Sequence, residues 1–412
     1  MPIRPRTAVA IGAAAVVVVA AGVTIGVNAS SRGGDASGTV TWWVPDWDLP
    51  VAQQLVDQFE ADNSDLTVDI VQVTGDTIVN KVTVALESGN APDVITESIA
   101  RTPGYIDDGE LTDLSDIYGD DLPQDDFVPG VLDSVSKDGK IYAVPYRWAT
   151  NALIYNPDLF EQAGITEPPT TFDEFVDAEK KLQAIGVDGT AWPMKGDPSD
   201  LTLRFLDFAT SNGSTIEDGT PHLTQDSVEK ALELIGSSVA DGYASASSFE
   251  LDNTGIRELF LQGRVGMYLG GVFDVDTAEQ QGKPVASAMA PGPDGVGSQE
   301  AVGWAHLVPA DAKNVDGAKR FVTFLGQADS EAALTLTFPA RISAGQDPKF
   351  QTETRKAFYD QLVDHSIPAA NDPRWIEMIP SVYDVIQSVA LGDVTPADGA
   401  AQIMSQAQTS LG

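Results

Sequence analysis

Two short loops hold residues whose types and spacing could do chemistry. Pro45-Asp46-Trp47-Asp48 sets an indole between two carboxylates, and Thr96-Glu97-Ser98-Ile99-Ala100-Arg101 sets a carboxylate four residues before a guanidinium. Each loop follows an apolar, β-branched run, and in folds that alternate strands with helices ligands are held outside the carboxyl ends of the strands. Two opposed carboxylates could also hydrolyse a glycosidic bond. The 61 Asp and Glu residues mark no single pair out for that work, however, and the chain has no G-x-S-x-G elbow, H-E-x-x-H pair or P-loop. The residues therefore read as a binding site and the chain as no enzyme. Cysteine is absent, which excludes disulfides, thiolate metal sites and a cysteine nucleophile. His222, His306 and His365 lie far apart without metal-ligand spacing, so neither a metal nor another cofactor is expected.

The net charge of -37, from 61 acidic against 24 basic residues, would repel phosphate-rich partners and argues against nucleic acid. It reads first as a solvating surface and second as an attraction for cationic solutes of the betaine or polyamine type.

The elements that must position these loops belong to an ordinary globular chain, since 42% of the 412 residues are hydrophobic and 21% charged. Arg4 and Arg6, the apolar run Ala8 to Val27, and then Asn28, Ala29, Ser30 and Ser31 have the order of an export signal. The run is long enough to span a bilayer, so residues 1–29 are expected to be a cleaved signal peptide, cut after Val27-Asn28-Ala29, or an uncleaved membrane anchor. No cysteine is available for a thioether lipid. Ser, Gly and Asp over residues 30–38 suit a flexible tether, so the bulk of the chain is expected outside the cytoplasm, secreted or anchored to the outer face of the cell membrane, with membrane contact only through this segment.

The folded part begins near Thr39. Thr39 to Val44 is strand-like, Val51, Leu55 and Phe59 recur at helical spacing, and Val68 to Val73 returns to strand composition. Ile78, Val82 and Leu86 give a second helix before Pro92-Asp93-Val94-Ile95. This alternation predicts a parallel sheet covered on both faces. Lys140 to Asn156 is too long for one strand and reads as a crossover between two sheets. Helical patterning then dominates to about Gly270, and no repeat of solenoid period is present.

The chain resembles the extracellular solute-binding proteins of ABC importers typified by maltose-binding protein. The resemblance is carried by Gly89-Asn90-Ala91-Pro92-Asp93-Val94, Ala143-Val144-Pro145, Ile154 to Ile165, Pro169 to Phe175, Phe260 to Tyr268, Gly303-Trp304, Gly317 to Leu325 and Pro339-Ala340-Arg341, in the family's order, and it covers about Thr39 to Leu411. It implies a two-lobed α/β periplasmic-binding fold of type II, with mixed sheets flanked by helices and a hinge between lobes. Lobe 1 would comprise residues 39–147 plus 290–335 and lobe 2 residues 148–289 plus 336–412, with crossings at Arg147-Trp148-Ala149 and Ala288-Met289-Ala290. A monomer working with permease subunits is implied.

A sugar site needs polar side chains around aromatic plates. By the resemblance, Asp46, Trp47, Asp48, Glu97, Arg101, Trp148 and Asn151 would meet the ligand. Trp192, Phe273, Trp304, Trp375 and Tyr383 are the remaining aromatic candidates, and Arg341 would reach in from the second lobe. Glu97 stands where the family aligns an aromatic platform, which weakens the case for maltodextrin and admits a smaller sugar, a polyol or a cation. The implied function is capture of a carbohydrate for import; the alternatives are a cationic solute or a ligand-sensing surface module.

Overall fold

Val40, Trp42 and Val44 point to one side of the first strand and are fully buried, as the period of two requires. The computed structural model describes residues 38–74 and 78–412. The expected export segment, and the tether up to Ser37, lie outside the described residues. Among those described, no helix is long and apolar enough to cross a membrane.

The strands that build the site are, in chain order, β1 (Gly38–Pro45), β2 (Leu66–Val73), β3 (Val94–Ser98), β4 (Ala143–Ala149), β5 (Ala152–Tyr155), β6 (Met267–Gly270), β7 (Ala286–Ala288), β8 (Gln299–Glu300), β9 (Val302–Leu307), β10 (Phe338–Pro339) and β11 (Ser366–Ile367). The helices that matter are α1 (Leu49–Asp62), α2 (Pro198–Ser211), α3 (Val272–Gln280), α4 (Glu353–Asp364) and α5 (Pro373–Ala390).

Two sheets carry two lobes. The larger has six strands in the order β10-β4-β9-β3-β1-β2, the smaller three in the order β6-β5-β7, and β8 pairs with β11 as a separate two-stranded ladder. β1, β2 and β3 are parallel, as the strand–helix alternation predicts. β9 enters antiparallel between β3 and β4, and β10 antiparallel beside β4, so the sheet is mixed. β1 to β4 consequently all end at one edge, where β9 and β10 begin. Behind that edge Trp42 meets Phe321 edge to face at 5.2 Å, and Phe321 meets Phe59 at 5.0 Å. Each such buried aromatic contributes on the order of 2 kcal/mol from its area alone.

The long crossover is two strands in two sheets. Arg147, Trp148 and Ala149 are still paired within the six-stranded sheet, and the chain changes lobe at Thr150-Asn151. Because β6 and β7 run antiparallel to β5, the start of β5 and the ends of β6 and β7 face the edge of the larger sheet. The return crossing also lies later than Ala288-Met289-Ala290. Ala290 is buried in the smaller lobe's core. Gly292 N–H donates to Thr170 O, Phe172 N–H donates to Gly292 O, and Gly297 N–H donates to Ala290 O. These bonds hold residues 290–298 to the smaller lobe until β8. A third passage follows β10, whose pairing with β4 keeps Phe338 and Pro339 in the six-stranded sheet, beyond the expected boundary at 335.

Pro145 sits in β4, a central strand, although it has no N–H for the ladder. The register resolves this: Trp304 faces Arg147 and Ala305 faces Pro145, leaving Tyr146 as an extra residue. Such a bulge both tolerates proline and re-aims side chains. Its product is that consecutive residues Tyr146 and Arg147 both reach Asp48.

Candidate ligand-binding site

The first loop is fixed by its second carboxylate. Asp48 is buried, accepts Arg147 Nη2–H at 2.5 Å and the Tyr146 hydroxyl, and its carbonyl accepts the N–H groups of Val51 and Ala52 at the start of α1. Burial raises its pKa despite the Arg147 charge beside it. Asp48 thus anchors the loop to β4 instead of offering a ligand contact. Trp47, half-buried, is thereby set edge to face against Trp304 at 4.9 Å and 78°, and Asp46 is left exposed. Trp304 itself comes from the start of β9, opposite Ser98 and Arg147. These two indoles form an aromatic wall on the strand-end edge.

Glu97 lies at the end of β3 opposite Ala305, fully buried. Its Oε1 accepts the Ser98 N–H at 2.7 Å, and Oε2 has no partner among the described residues. Burial raises its pKa, with the Ser98 N–H and the charge of exposed Arg101 opposing the rise. Trp148 is 2% exposed and lies over Gly303. A Cβ on Gly303 would stand 2.3 Å from Trp148 Cε3 and 2.5 Å from Arg147 O, so the position admits only glycine. Across the crossing, half-buried Asn151 precedes β5, and Phe273, 54% exposed, projects from the first turn of α3 directly after β6. The ring is therefore open to contact from solvent.

Trp192 and Trp375 are buried in the smaller lobe's core, Arg341 is engaged in the larger lobe, and Tyr383 is half-buried on α5. Trp192 is 1% exposed, donates its Nε1–H to Ser238 Oγ at 2.8 Å and packs edge to face on Phe208; Trp375 is buried on α5 in the same core. Tyr383 donates to Met194 O at 2.7 Å and so clamps the loop before α2. Arg341 serves the larger lobe: its Nε–H meets Asp126 at 2.7 Å and its Nη1–H donates to Asp121 O and Gly326 O. A guanidinium spent on three partners there cannot reach in from the other lobe.

Sequence reasoning missed a charged cluster in the smaller lobe. Arg204 on α2 is 5% exposed, with Asp207, Asp200 and Asp274 around it; Asp274, next to Phe273, pairs with Arg257 at 3.1 Å. Burial pushes Asp207 well above the usual carboxylate range. The signal was legible: Arg204 and Asp207 interrupt the apolar run Leu201 to Phe208 on its buried face. Among the described residues, no three His, Asp or Glu side chains gather as metal ligands.

Residues 46–332 match the family model described as bacterial extracellular solute-binding protein. The chain is 26% identical to a binding protein of Brucella abortus, over 84% of this chain and 86% of that one. It is also 26% identical to the diacetylchitobiose-binding protein of Streptomyces coelicolor, over 90% and 89%. Its fold matches the sugar-binding protein MalE of Xanthomonas citri with a TM-score of 0.79 at 21% identity, covering 90% of this chain and 96% of that one.

Proposed function

The chain belongs to the bacterial extracellular solute-binding proteins, and from that membership we propose that it captures a carbohydrate between its lobes and delivers it to the permease of an ABC importer, leaving the ligand chemically unchanged. The observation that carries the reading is the Trp47–Trp304 wall at the strand-end edge of the larger sheet, with exposed Phe273 on the facing lobe. Sugar rings present C–H faces that stack on such plates and hydroxyls that need polar neighbours. Asp46, Arg101 and Asn151 stand at the same edges and supply them. The diacetylchitobiose name of one relative and the sugar-binding name of the solved neighbour favour the same class. The protein acts outside the cytoplasm, and the segment before residue 30 exports it or holds it to the outer face; the mass of the native protein distinguishes these.

The test is a thermal-shift screen with maltose, maltotriose, diacetylchitobiose and glycine betaine. A bound sugar at a hundred times its Kd should add about 2.7 kcal/mol by mass action. Stabilisation by betaine and by none of the sugars would overturn the carbohydrate reading.

A further inference from the structure

The aromatic surfaces of the two lobes are joined by a path of bonds through Arg355. In the larger lobe Asp48, which fixes the Trp47 loop, is held by Arg147, whose Nε–H donates to Thr335 Oγ1 at 3.3 Å. Leu336 follows, 61% exposed, and Phe338 and Pro339 then pair with β4, so the Leu336 carbonyl is tied to the six-stranded sheet on both sides. In the smaller lobe Phe273 and Asp276 lie three residues apart on α3 and share a face. Arg355, in the first turn of α4, connects the two: its Nη2–H donates to Asp276 Oδ2 at 2.5 Å and its Nη1–H to Leu336 O at 3.4 Å. α4 itself belongs to the smaller lobe, where Gln361 Oε1 accepts the Ala290 N–H at 2.8 Å. Thr354, one residue earlier, donates to Glu279 Oε1 at 2.6 Å, and its carbonyl accepts the Ser287 hydroxyl of β7 at 2.6 Å. α3, α4 and β7 are thus held together without Arg355, and one arm of its guanidinium reaches the other lobe.

We propose that Arg355 is a positioning residue for the binding site, a latch that fixes the spacing between Phe273 and the Trp47–Trp304 wall. The role rests on the reading that the ligand lies between the lobes. The Arg355 and Asp276 side chains are 14% and 25% exposed, so their charge-assisted bond is largely shielded from salt and holds the guanidinium in one orientation. A planar guanidinium serves two acceptors at once in fixed directions, which an ammonium on a flexible stem does not. The carbonyl is held by the sheet of one lobe and the guanidinium by a helix of the other. A rotation that carries Phe273 away from the wall therefore breaks the Nη1–H bond and leaves the Leu336 carbonyl to water. The latch favours the arrangement in which the two surfaces stand at this spacing, and a ligand that touches both meets them already placed.

The absence of cysteine makes the test direct. Glu87→Cys and Glu233→Cys, both exposed positions and one in each lobe, take paired spin labels, and the inter-lobe distance is measured without ligand. Arg355→Lys keeps a charge beside Asp276 and loses the fork, whereas Arg355→Gln loses both. In each, the population at the parent's main distance should fall about three- to tenfold relative to the rest, as expected for loss of a charge-assisted bond partly open to solvent. Both should melt close to the parent, because Thr354 and Gln361 still hold α4. Thr354→Val removes a bond within the smaller lobe alone and should leave the distances unchanged. Parent-like distances in either Arg355 variant, or a shift in Thr354→Val as large as that in Arg355→Lys, overturn the proposal. No sugar enters the measurement, so its failure is separate from that of the carbohydrate reading.

Discussion

Replacing Trp304 by alanine separates a ligand plate from a structural tryptophan. The ring is half-buried, so the apolar area lost to folding is roughly half that of a core indole, or about 1 kcal/mol. Its edge-to-face contact with Trp47 at 4.9 Å adds about 0.5–1.5 kcal/mol. The apo protein should therefore lose about 2 kcal/mol. Trp192→Ala, made at a side chain 1% exposed and hydrogen-bonded to Ser238, should cost about 3–5 kcal/mol. Affinity should move the other way: loss of a stacked plate weakens a sugar complex by about 1–3 kcal/mol, roughly five- to hundredfold in Kd, whereas Trp192→Ala leaves the Kd of the surviving folded fraction unchanged. The assay is calorimetric titration with whichever screened sugar most stabilises the parent, alongside apo melting of both variants. Unchanged affinity in Trp304→Ala, with a melting loss as large as that of Trp192→Ala, refutes the reasoning and returns Trp304 to the core.

Asp48→Ala leaves the Arg147 guanidinium buried without its partner and should cost about 3–5 kcal/mol by urea unfolding, whereas a surface pair such as Lys181–Asp177 should cost under about 1 kcal/mol. Gly303→Ala forces a Cβ into Trp148 and Arg147 O and should cost about 1–3 kcal/mol or more, with Trp148 fluorescence shifted in the folded state. His306 gives a pH prediction. Burial, aided by Arg147, lowers its pKa from 6.5 to about 3, so between those values the unfolded chain binds a proton that the folded chain refuses. Stability is intact above about pH 6.5 and falls as the pH drops toward 3, by up to about 1.4 kcal/mol per pH unit from this group. In His306→Asn that part of the slope should vanish from the pH series of unfolding midpoints, and an unaltered slope would show that other groups carry it.

The β-α-β start, the change of sheets near residue 150 and the strand-end loops were legible because periodicity and strand-end position are local properties of the sequence. What the sequence hid is non-local. Nothing in Pro145 announces that a bulge excuses it, since the partner that registers the slip is Trp304, far along the chain. Asp48 looks like any loop carboxylate until Tyr146 and Arg147 arrive beside it, and Arg341 looks like a free cation until Asp126 does. Trp192 and Trp375 could not be told from ligand plates, because an indole in a core and one in a cleft have the same composition signal; only neighbours such as Phe208 and Ser238 decide.

The strand order has a consequence for the chain's birth. β9, residues 302–307, is the strand that joins β3 to β4, and β10 at 338–339 closes the far edge. Until some three-quarters of the polypeptide has been made, the larger sheet exists only as separated pieces whose pairing partners have not yet been synthesised. Contacts of such long sequence separation form slowly, because the intervening loop must be closed before any of them is rewarded. The topology that builds the site thus postpones its own completion to the last quarter of synthesis.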